Sequence, residues 1–372
     1  MHLERYDVIE DSPTSMKPPH ILIVGAGIVG ASLAWHLMRG GARVSVLDAK
    51  EPGGIATRNS WAWINASWGN SEPYFRLRVR AMDEWHRIEG EVPNLRVGWS
   101  GSLLWELPPD ELRSFQAGHS AWGYNVRLVE RAEVRRIEPQ LADPPELAVH
   151  APEEGAVEPL AATHALLAAA QGYGATIIGN NPVHTLIVRA QRVTGAETNS
   201  GPVHADEVVV ASGVGTANLL ATAGLNLPMR DSPALLVGTE SGAKRLNGLV
   251  MSPAMQLRQT PEGRLVAAVG IKDADSDADG REAAVAAFHT MKDLLIAPRS
   301  LVLKSWVVGH RPMPKDGFPA VGRFPPVAGL YVAVMHSGVT LAPVIGRLIA
   351  DELLTGKRDT LIKPYGVERF IC

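Results

Sequence analysis

The 372-residue chain contains a single cysteine, Cys372, which is also its last residue. One cysteine cannot form a disulfide or a cysteine-based metal centre within the chain, and such scarcity favours a reducing compartment, here the cytoplasm. The twelve histidines are scattered, with no His-x-x-x-His pair on a helix, so the sequence predicts no metal site. Disulfide-stabilised modules and cysteine-based zinc proteins are thereby excluded.

The chain also lacks an excess of positive charge. Its 36 Lys and Arg residues against 39 Asp and Glu residues give a net charge of −3 and a pI near 6.5. Nucleic-acid-binding proteins usually carry a basic surface, so no nucleic-acid partner is predicted. Residues 1–18 contain acids and prolines but no apolar run, which indicates a flexible leader rather than a secretory signal.

One long apolar segment, Ile21–Met38, has the length of a membrane span. It carries three glycines in its first ten positions and His36 near its end, and it opens with strand-forming residues. We therefore interpret it as a buried strand, Ile21–Val24, followed by a helix over 31–39, and predict no membrane span.

The same segment contains the glycine pattern of a dinucleotide-binding βαβ unit. Gly25 permits a tight turn, Gly27 lets the backbone approach a pyrophosphate, and Gly30 lets the helix pack closely on the strand. A second predicted strand, Arg43–Leu47, ends at Asp48, which would accept hydrogen bonds from a ribose hydroxyl. This pattern does not distinguish FAD from NAD.

The rest of the chain predicts further strands and helices of an α/β protein. Residues 53–70 hold Trp61, Trp63 and Trp68 among short polar residues, which indicates an irregular segment followed by a short helix, with the tryptophans in the core or a pocket wall. Near the C-terminus the pattern predicts a strand, Leu330–Val334, and a helix, Pro343–Leu354.

Two stretches near the C-terminus carry a family resemblance. The first is Gly309-x-Arg311-Pro312-x-x-x-Asp316-x-x-Pro319-x-x-Gly322, and the second runs from His336 to Pro343. Together with the N-terminal glycine pattern they resemble the D-amino-acid oxidase superfamily of FAD-dependent oxidoreductases, and most closely its glycine oxidase and sarcosine oxidase branches. The resemblance covers the whole chain in outline and is specific at the glycine pattern and over residues 309–354.

The resemblance implies a Rossmann-like, glutathione-reductase-like FAD-binding domain and a second α+β substrate domain on a mixed or antiparallel sheet. Residues 19–84, 151–227 and 313–372 would form the first, and residues 85–150 and 228–312 the second. FAD would be bound noncovalently, because no cysteine matches the flavin-linking cysteine of the sarcosine oxidases. Asp48 stands where the family more often has glutamate.

The resemblance also assigns roles to individual cofactor-binding residues. Ser60 would lie near the phosphates, Val183 would contact the adenine through its backbone, and residues 337–341 would follow the pyrimidine edge of the flavin. The full set implied is Gly25, Gly27, Ile28, Val29, Gly30, Asp48, Ala49, Ser60, Val183, Ala211, Gly213, Gly309, Ser337, Gly338, Val339, Thr340 and Leu341.

The substrate candidates come from the same resemblance, which supplies no certain catalytic residue. Arg311 matches the arginine that binds a substrate carboxylate; the alternative is a surface arginine before Pro312. His336 would hydrogen-bond the substrate, or provide a cation if protonated, or be satisfied by backbone groups. Lys272 matches loosely a lysine near the flavin, but an exposed turn is favoured by its acidic neighbours. Gln256 and Arg258 are weaker candidates for substrate contacts.

The function implied is FAD-dependent oxidation of an amine, an amino acid or N-substituted glycine. The hydride would pass from Cα–H to flavin N5, and the resulting imine would hydrolyse. Alternatives that the sequence leaves open are the flavoprotein subunit of a larger amino-acid dehydrogenase complex, an NAD-dependent dehydrogenase, and a non-catalytic flavin-binding protein. A homo-oligomer is compatible with each.

Overall fold

The computed structural model describes residues 17–67, 70–271 and 277–371, with side chains omitted for 277–279. Its α-helices are α1 Ile28–Arg39, α2 Ile55–Arg58, α3 Glu72–Glu91, α4 Pro109–Ala121, α5 Arg131–Ile137, α6 Pro159–Gly172, α7 Thr216–Ala221, α8 Asp277–Asp293 and α9 Gly338–Thr355. Its strands are β1 His20–Val24, β2 Arg43–Leu47, β3 Trp63–Ile64, β4 Val97–Gly98, β5 Ser102–Leu104, β6 Arg127–Glu130, β7 Leu147–Ala151, β8 Gly155–Val157, β9 Thr176–Ile178, β10 Val183–Arg189, β11 Arg192–Thr198, β12 Gly201–His204, β13 Glu207–Val210, β14 Met229–Arg230, β15 Pro233–Ser241, β16 Leu249–Met251, β17 Gln256–Gln259, β18 Arg264–Gly270, β19 Leu303–His310, β20 Met313–Pro314, β21 Ala320–Arg323 and β22 Leu330–Val334.

A six-stranded sheet contains the N-terminal βαβ unit. Its strand order is β21-β22-β13-β1-β2-β9, and every pair is parallel except β21 with β22. β1 lies between β13 and β2 and is almost wholly buried, which explains its run of four apolar residues. The sheet takes strands from both ends of the chain, as the Rossmann-like prediction requires.

Helix α1 is held against this sheet and against α9 at two glycines. A Cβ at Gly30 would collide with the carbonyl oxygen of Gly25 and lie 3.4 Å from Ile23 Cγ2. A Cβ at Gly346 in α9 would collide with Ser32 Oγ and lie 2.9 Å from the Ser32 carbonyl carbon. The backbones of α1, β1 and α9 therefore approach more closely than any other residue type would allow.

A second sheet of eight strands has the order β19-β15-β18-β17-β16-β5-β7-β6. Its pairs are antiparallel except β5 with β16. Helix α8 packs on one face through Ala284, Ala287 and Met291, which join a separate hydrophobic cluster. The mixed α/β fold with a second, largely antiparallel sheet confirms the predicted fold class.

A small sheet and one buried acid join segments of the two predicted domains. The small sheet, β3-β8-β4, crosses the predicted domain boundaries, because β4 lies in residues 85–150 and its partners do not. The division into two domains stays a prediction. Glu154, fully buried, accepts five hydrogen bonds, from Trp63 Nε1 (3.0 Å), Ala66 N (3.2 Å), Ser67 N (3.0 Å), Ser102 Oγ (2.7 Å) and Tyr124 OH (2.9 Å).

One local prediction differs from the structure, and one strand was not predicted. Residues 53–70 are predicted to end in a short helix, but the helix, α2, comes early at Ile55–Arg58. Strand β11 is not apparent in the sequence because Gly195 interrupts its pattern; a Cβ there would collide with the carbonyl oxygen of Val203 on β12.

Helix α9 begins at Gly338, five residues before the predicted start at Pro343. A proline inside a helix cannot donate to the carbonyl four residues earlier, here that of Val339. The indole of Trp85 on α3 supplies the missing donor, with Nε1 at 3.1 Å from the carbonyl oxygens of both Val339 and Thr340. This long-range bond permits the helix to continue through the proline.

None of the helices in the described ranges has the length and apolar character that crossing a membrane requires.

We predict that Trp85 and Pro343 are energetically coupled. Trp85→Phe removes the donor to a buried carbonyl and should destabilise the protein by about 1–3 kcal/mol, with an added cost for the lost ring volume. Pro343→Ala restores a backbone N–H for Val339, so the cost of Trp85→Phe should be smaller by about 1 kcal/mol in that background. Urea unfolding of the four proteins measures this coupling, and strict additivity would contradict it.

Candidate active site

A cavity of about 1010 Å³ lies between the two large sheets. Val24, Leu47 and Ala211, at or beyond the carboxyl ends of β1, β2 and β13, line one side, while Ala234 and Ala268 of the eight-stranded sheet line the other. Ligands of open α/β sheets bind at this end of the strands. The volume is at the upper end of the range for enclosed small-molecule sites.

The N-terminus of α1 points into this cavity. Its first-turn N–H groups have no partner within the helix, and the helix dipole adds partial positive charge there, which suits a phosphate. Gly27, the residue before α1, carries no side chain between these groups and the cavity. Asp48 lies at the end of β2, where its carboxylate accepts hydrogen bonds from Ala26 N (2.8 Å) and Lys50 N (3.0 Å).

The loop after β2 closes onto this turn in a way that the sequence did not reveal. Thr57 Oγ1 accepts a hydrogen bond from Ile28 N at 3.1 Å. A Cβ on Gly54 would lie 2.9 Å from Gly27 Cα, and Gly54 has φ of +64°. The adjacent glycines Gly53-Gly54 were the available signal, because such a pair permits close approach of backbones.

The predicted cofactor-binding residues converge on the cavity with two exceptions. Gly30 is used in packing α1 onto β1, and Leu341 is fully buried; neither lines the cavity. The remaining ones do line it, namely Gly25, Gly27, Ile28, Val29, Asp48, Ala49, Ser60, Val183, Ala211, Gly213, Gly309, Ser337, Gly338, Val339 and Thr340.

A second helix N-terminus, that of α9, opens onto the same cavity beside a buried arginine. Arg78 is only 5% exposed, and its Nη1 donates to Ser337 Oγ at 2.7 Å. Its Nε donates to the carbonyl oxygen of Asn65 at 2.9 Å, and its Nη2 bonds the amide oxygen of the same residue. No acidic partner for Arg78 is present among the described residues, so its charge is balanced by neutral dipoles alone. Sequence reasoning missed it.

The substrate candidates have different positions. Arg311 and Gln256 line the cavity, but Arg258 does not. The Arg258 guanidinium instead donates to the Trp61 carbonyl oxygen (2.7 Å) and pairs with Glu158 (2.7 Å), which does not support a substrate contact. Lys272, Trp68 and Cys372 lie outside the described residues.

Arg311 is half-buried, and its only side-chain hydrogen bond in the described structure is a long one, 3.4 Å, to the carbonyl oxygen of Pro233. Burial lowers the pKa of Arg311 from its ordinary value, but an arginine remains charged at neutral pH. A half-buried guanidinium with free donors that faces a cavity is suited to a carboxylate.

His336 faces the same part of the cavity. Desolvation of its ring in the cavity wall lowers the pKa of His336 to about 4, and the charges of Arg311, Arg78 and Arg230 act in the same direction. A lowered pKa favours the neutral ring over the cation that a protonated His336 would supply; the role of His336 stays a prediction. The neutral ring retains one N–H donor and one acceptor for a ligand.

Glu106 is an acid that sequence reasoning also missed. It follows β5, lines the cavity, and has a buried carboxyl oxygen, Oε1, without a hydrogen-bond partner in the described structure. Burial raises the pKa of Glu106 to about 7. No group of three or more potential metal ligands occurs within the described ranges.

These features fit FAD. One cavity receives two helix N-termini, of which that of α1 suits a pyrophosphate and that of α9 suits negative charge on a ring system. Asp48 provides the acceptor for a ribose, and the glycines of the turn leave room for the backbone to touch the cofactor.

The family model described as "FAD dependent oxidoreductase" matches residues 20–352, and the chain belongs to this family. It is 29% identical over 369 residues to the uncharacterized oxidoreductase YurR from Bacillus subtilis, covering 92% of this chain and 97% of YurR. It is 25% identical to a subunit of opine oxidase from Agrobacterium tumefaciens, with 94% and 96% covered. The crystal structure of glycine oxidase from Geobacillus kaustophilus superposes with a TM-score of 0.84 at 24% identity, covering 95% of this chain and all of that one.

The membership confirms the predictions of family and cofactor, FAD held without a covalent bond. It also confirms that the protein is an enzyme that oxidises an amine or an amino acid. The assignment of individual cofactor and substrate residues stays a prediction.

We predict that Glu106 makes the stability of the FAD-free protein depend on pH. The pKa of this carboxyl is 4.5 in the unfolded chain and about 7 in the folded protein. The protein therefore loses stability as the pH rises from 4.5 to 7, and this loss is constant at higher pH. The melting temperature of the native protein should therefore drop, relative to that of Glu106→Gln, as the pH rises from 5 to 8. Glu111→Gln, at an exposed position on α4, is the control, and its melting temperature should follow that of the native protein over the same pH range.

Proposed function

We propose that the enzyme oxidises the Cα–N bond of an amino acid or N-substituted glycine whose carboxylate is bound by Arg311. The observation that carries this proposal is the half-buried guanidinium of Arg311, which faces the cavity without an acidic partner in the described structure. A substrate carboxylate supplies the missing charge and two acceptors in the planar geometry that arginine matches.

The cofactor residues named above are part of the same proposal. Bound FAD supplies the two-electron acceptor, and the chain supplies orientation. The N-terminus of α1 and Asp48 would hold the nucleotide half, and the N–H groups of Ser337 to Thr340 would stabilise charge at the flavin end. Arg311 fixes one end of the substrate, so that its Cα–H is presented in one orientation.

Neutral His336 and the tryptophans complete the environment of the substrate. His336 retains a hydrogen-bond donor and acceptor near Arg311 and adds no charge that would compete for the carboxylate. Trp61, which is buried, and Trp63, which is partly buried, line the cavity and exclude water from its wall. Exclusion of water strengthens the ion pair with Arg311.

We predict that Arg311→Met lowers kcat/KM for a carboxylate substrate by a factor of about 30 to several thousand, because removing one partner of a desolvated charge pair costs roughly 2–5 kcal/mol. FAD content, measured by absorbance, should stay normal. Arg311→Lys should recover only part of the loss, since lysine cannot bind both oxygens in one plane. Arg311→Met should change kcat/KM little for an amine substrate that has no carboxylate. The exposed control Arg113→Met should change kcat/KM little for the carboxylate substrate. Equal kinetics of Arg311→Met and the native enzyme would refute the role.

A second candidate function is that of the flavoprotein subunit of a larger complex, in which a partner rather than oxygen accepts the electrons. The similarity to a protein that is named as one subunit of an opine oxidase supports the proposal that this chain works within a larger complex. We then expect that the protein from its native source elutes well above its chain mass of 39.9 kDa. We also expect that the reduced isolated chain is reoxidised slowly by air-saturated buffer in stopped flow. Rapid reoxidation of the isolated chain would show an oxidase that needs no partner.

A further inference from the structure

Arg78, Arg230 and Arg311 line the cavity together with His336, and we call these three residues the arginine cluster. Each of the three lowers the pKa of His336 through its charge, and among the described residues no carboxylate raises it. Like charges gathered in one wall repel one another unless anions bind among them. The cluster therefore has capacity for more negative charge than one substrate carboxylate provides.

The acids that line the cavity do not neutralise the cluster. Asp48 is bonded to the turn before α1, and both carboxylate oxygens of Asp316 contact Arg369 (2.7 and 3.2 Å). Among the described residues no charged group shifts the pKa of Glu106, which is raised by burial alone. Within the described residues the cluster thus lacks a protein counter-charge.

The three members of the cluster are placed differently. Arg78 is buried against Asn65 and Ser337, so its guanidinium is already engaged at the N-terminus of α9. Arg311 is assigned to one carboxylate in the proposed function. Arg230 is exposed to the cavity, and its guanidinium has neither a hydrogen-bond nor an ion-pair partner in the described part of the chain.

Arg230 is positioned beside Arg311 by backbone pairing. Arg230 lies on β14 opposite Met313 of β20, and Met313 follows Arg311 by two residues. In addition, Arg311 N donates to the carbonyl oxygen of Ser232 at 3.0 Å. Gly317 leaves room for the guanidinium, since a Cβ there would lie 3.3 Å from Arg230 Nη2. Two guanidinium groups without acidic partners in the described structure thus approach one cavity from adjacent segments.

We propose that Arg230 binds a second carboxylate of the substrate, so that the enzyme acts on iminodicarboxylates, in which two carboxylate-bearing carbons share one amine nitrogen. This inference rests on the proposed function, which assigns the first carboxylate to Arg311. An iminodicarboxylate places its two carboxylates on either side of the nitrogen, and the oxidised Cα–N bond lies between the two arginines.

The test uses two thioethers that the enzyme cannot oxidise as amines, thiodiacetate with two carboxylates and (methylthio)acetate with one. Their dissociation constants are measured from changes in flavin absorbance of the FAD-loaded enzyme. We expect the native enzyme to bind thiodiacetate about 10- to 100-fold more tightly, as a charge-assisted hydrogen-bonded pair provides. Arg230→Gln should abolish this preference and leave the affinity for (methylthio)acetate within about twofold, whereas Arg311→Met should weaken both.

Kinetics give a second measurement. kcat/KM for iminodiacetate should fall about 10- to 100-fold in Arg230→Gln, while the value for sarcosine, its one-carboxylate counterpart, should stay unchanged. Arg299→Gln, an exposed arginine elsewhere, controls for loss of net charge and should change neither.

The outcomes separate this inference from the proposed function. If Arg311→Met weakens (methylthio)acetate but the native enzyme shows no preference for thiodiacetate, the role of Arg230 is wrong and the proposed function stands. If Arg230→Gln lowers FAD content and leaves the preference intact, Arg230 contacts the cofactor and the inference is overturned. If neither thioether binds and Arg311→Met has no effect, the proposed function itself fails.

Discussion

The close approach of helix α1 to β1 and to α9 is the contact on which the site depends. Gly30 and Gly346 make it possible, because any side chain at either position would meet backbone or side-chain atoms of the neighbouring element. With the two helices in backbone contact, their N-termini open onto one cavity. The anion-binding capacity of that cavity thus follows from packing in the core behind it, before any charged side chain is considered.

Charged side chains then divide the cavity into different regions. Asp48 provides an acceptor beside the N-terminus of α1, whereas Arg78, Arg230 and Arg311 line the cavity and act on His336 through their charges. Glu106 adds a carboxyl group whose pKa is raised to about 7 by burial. A molecule bound along the cavity therefore meets polar groups of different charge along its length, which favours one direction of binding.

The sequence predicted those parts of the structure that depend on local spacing. The glycines at 25, 27 and 30 and the acid at 48 fall within one βαβ unit, so their arrangement follows from its geometry. The role of Trp85 did not follow, since its acceptor is the carbonyl of Val339, 254 residues away. Arg78 was missed for the same reason: its partner Ser337 is 259 residues distant. Such contacts are decided by tertiary packing, which single-residue patterns do not record.

The order of the strands along the chain has a consequence for biosynthesis. β22 and α9 are made long after their partners, because β22 pairs with β13 and α9 packs against α1. The glycine turn at residues 25–30 therefore leaves the ribosome long before the elements that hold it in place exist. Since Ser337 and the first residues of α9 also line the cavity, we expect flavin uptake to wait until α9 has been made, because folding depends on contacts of very high sequence separation.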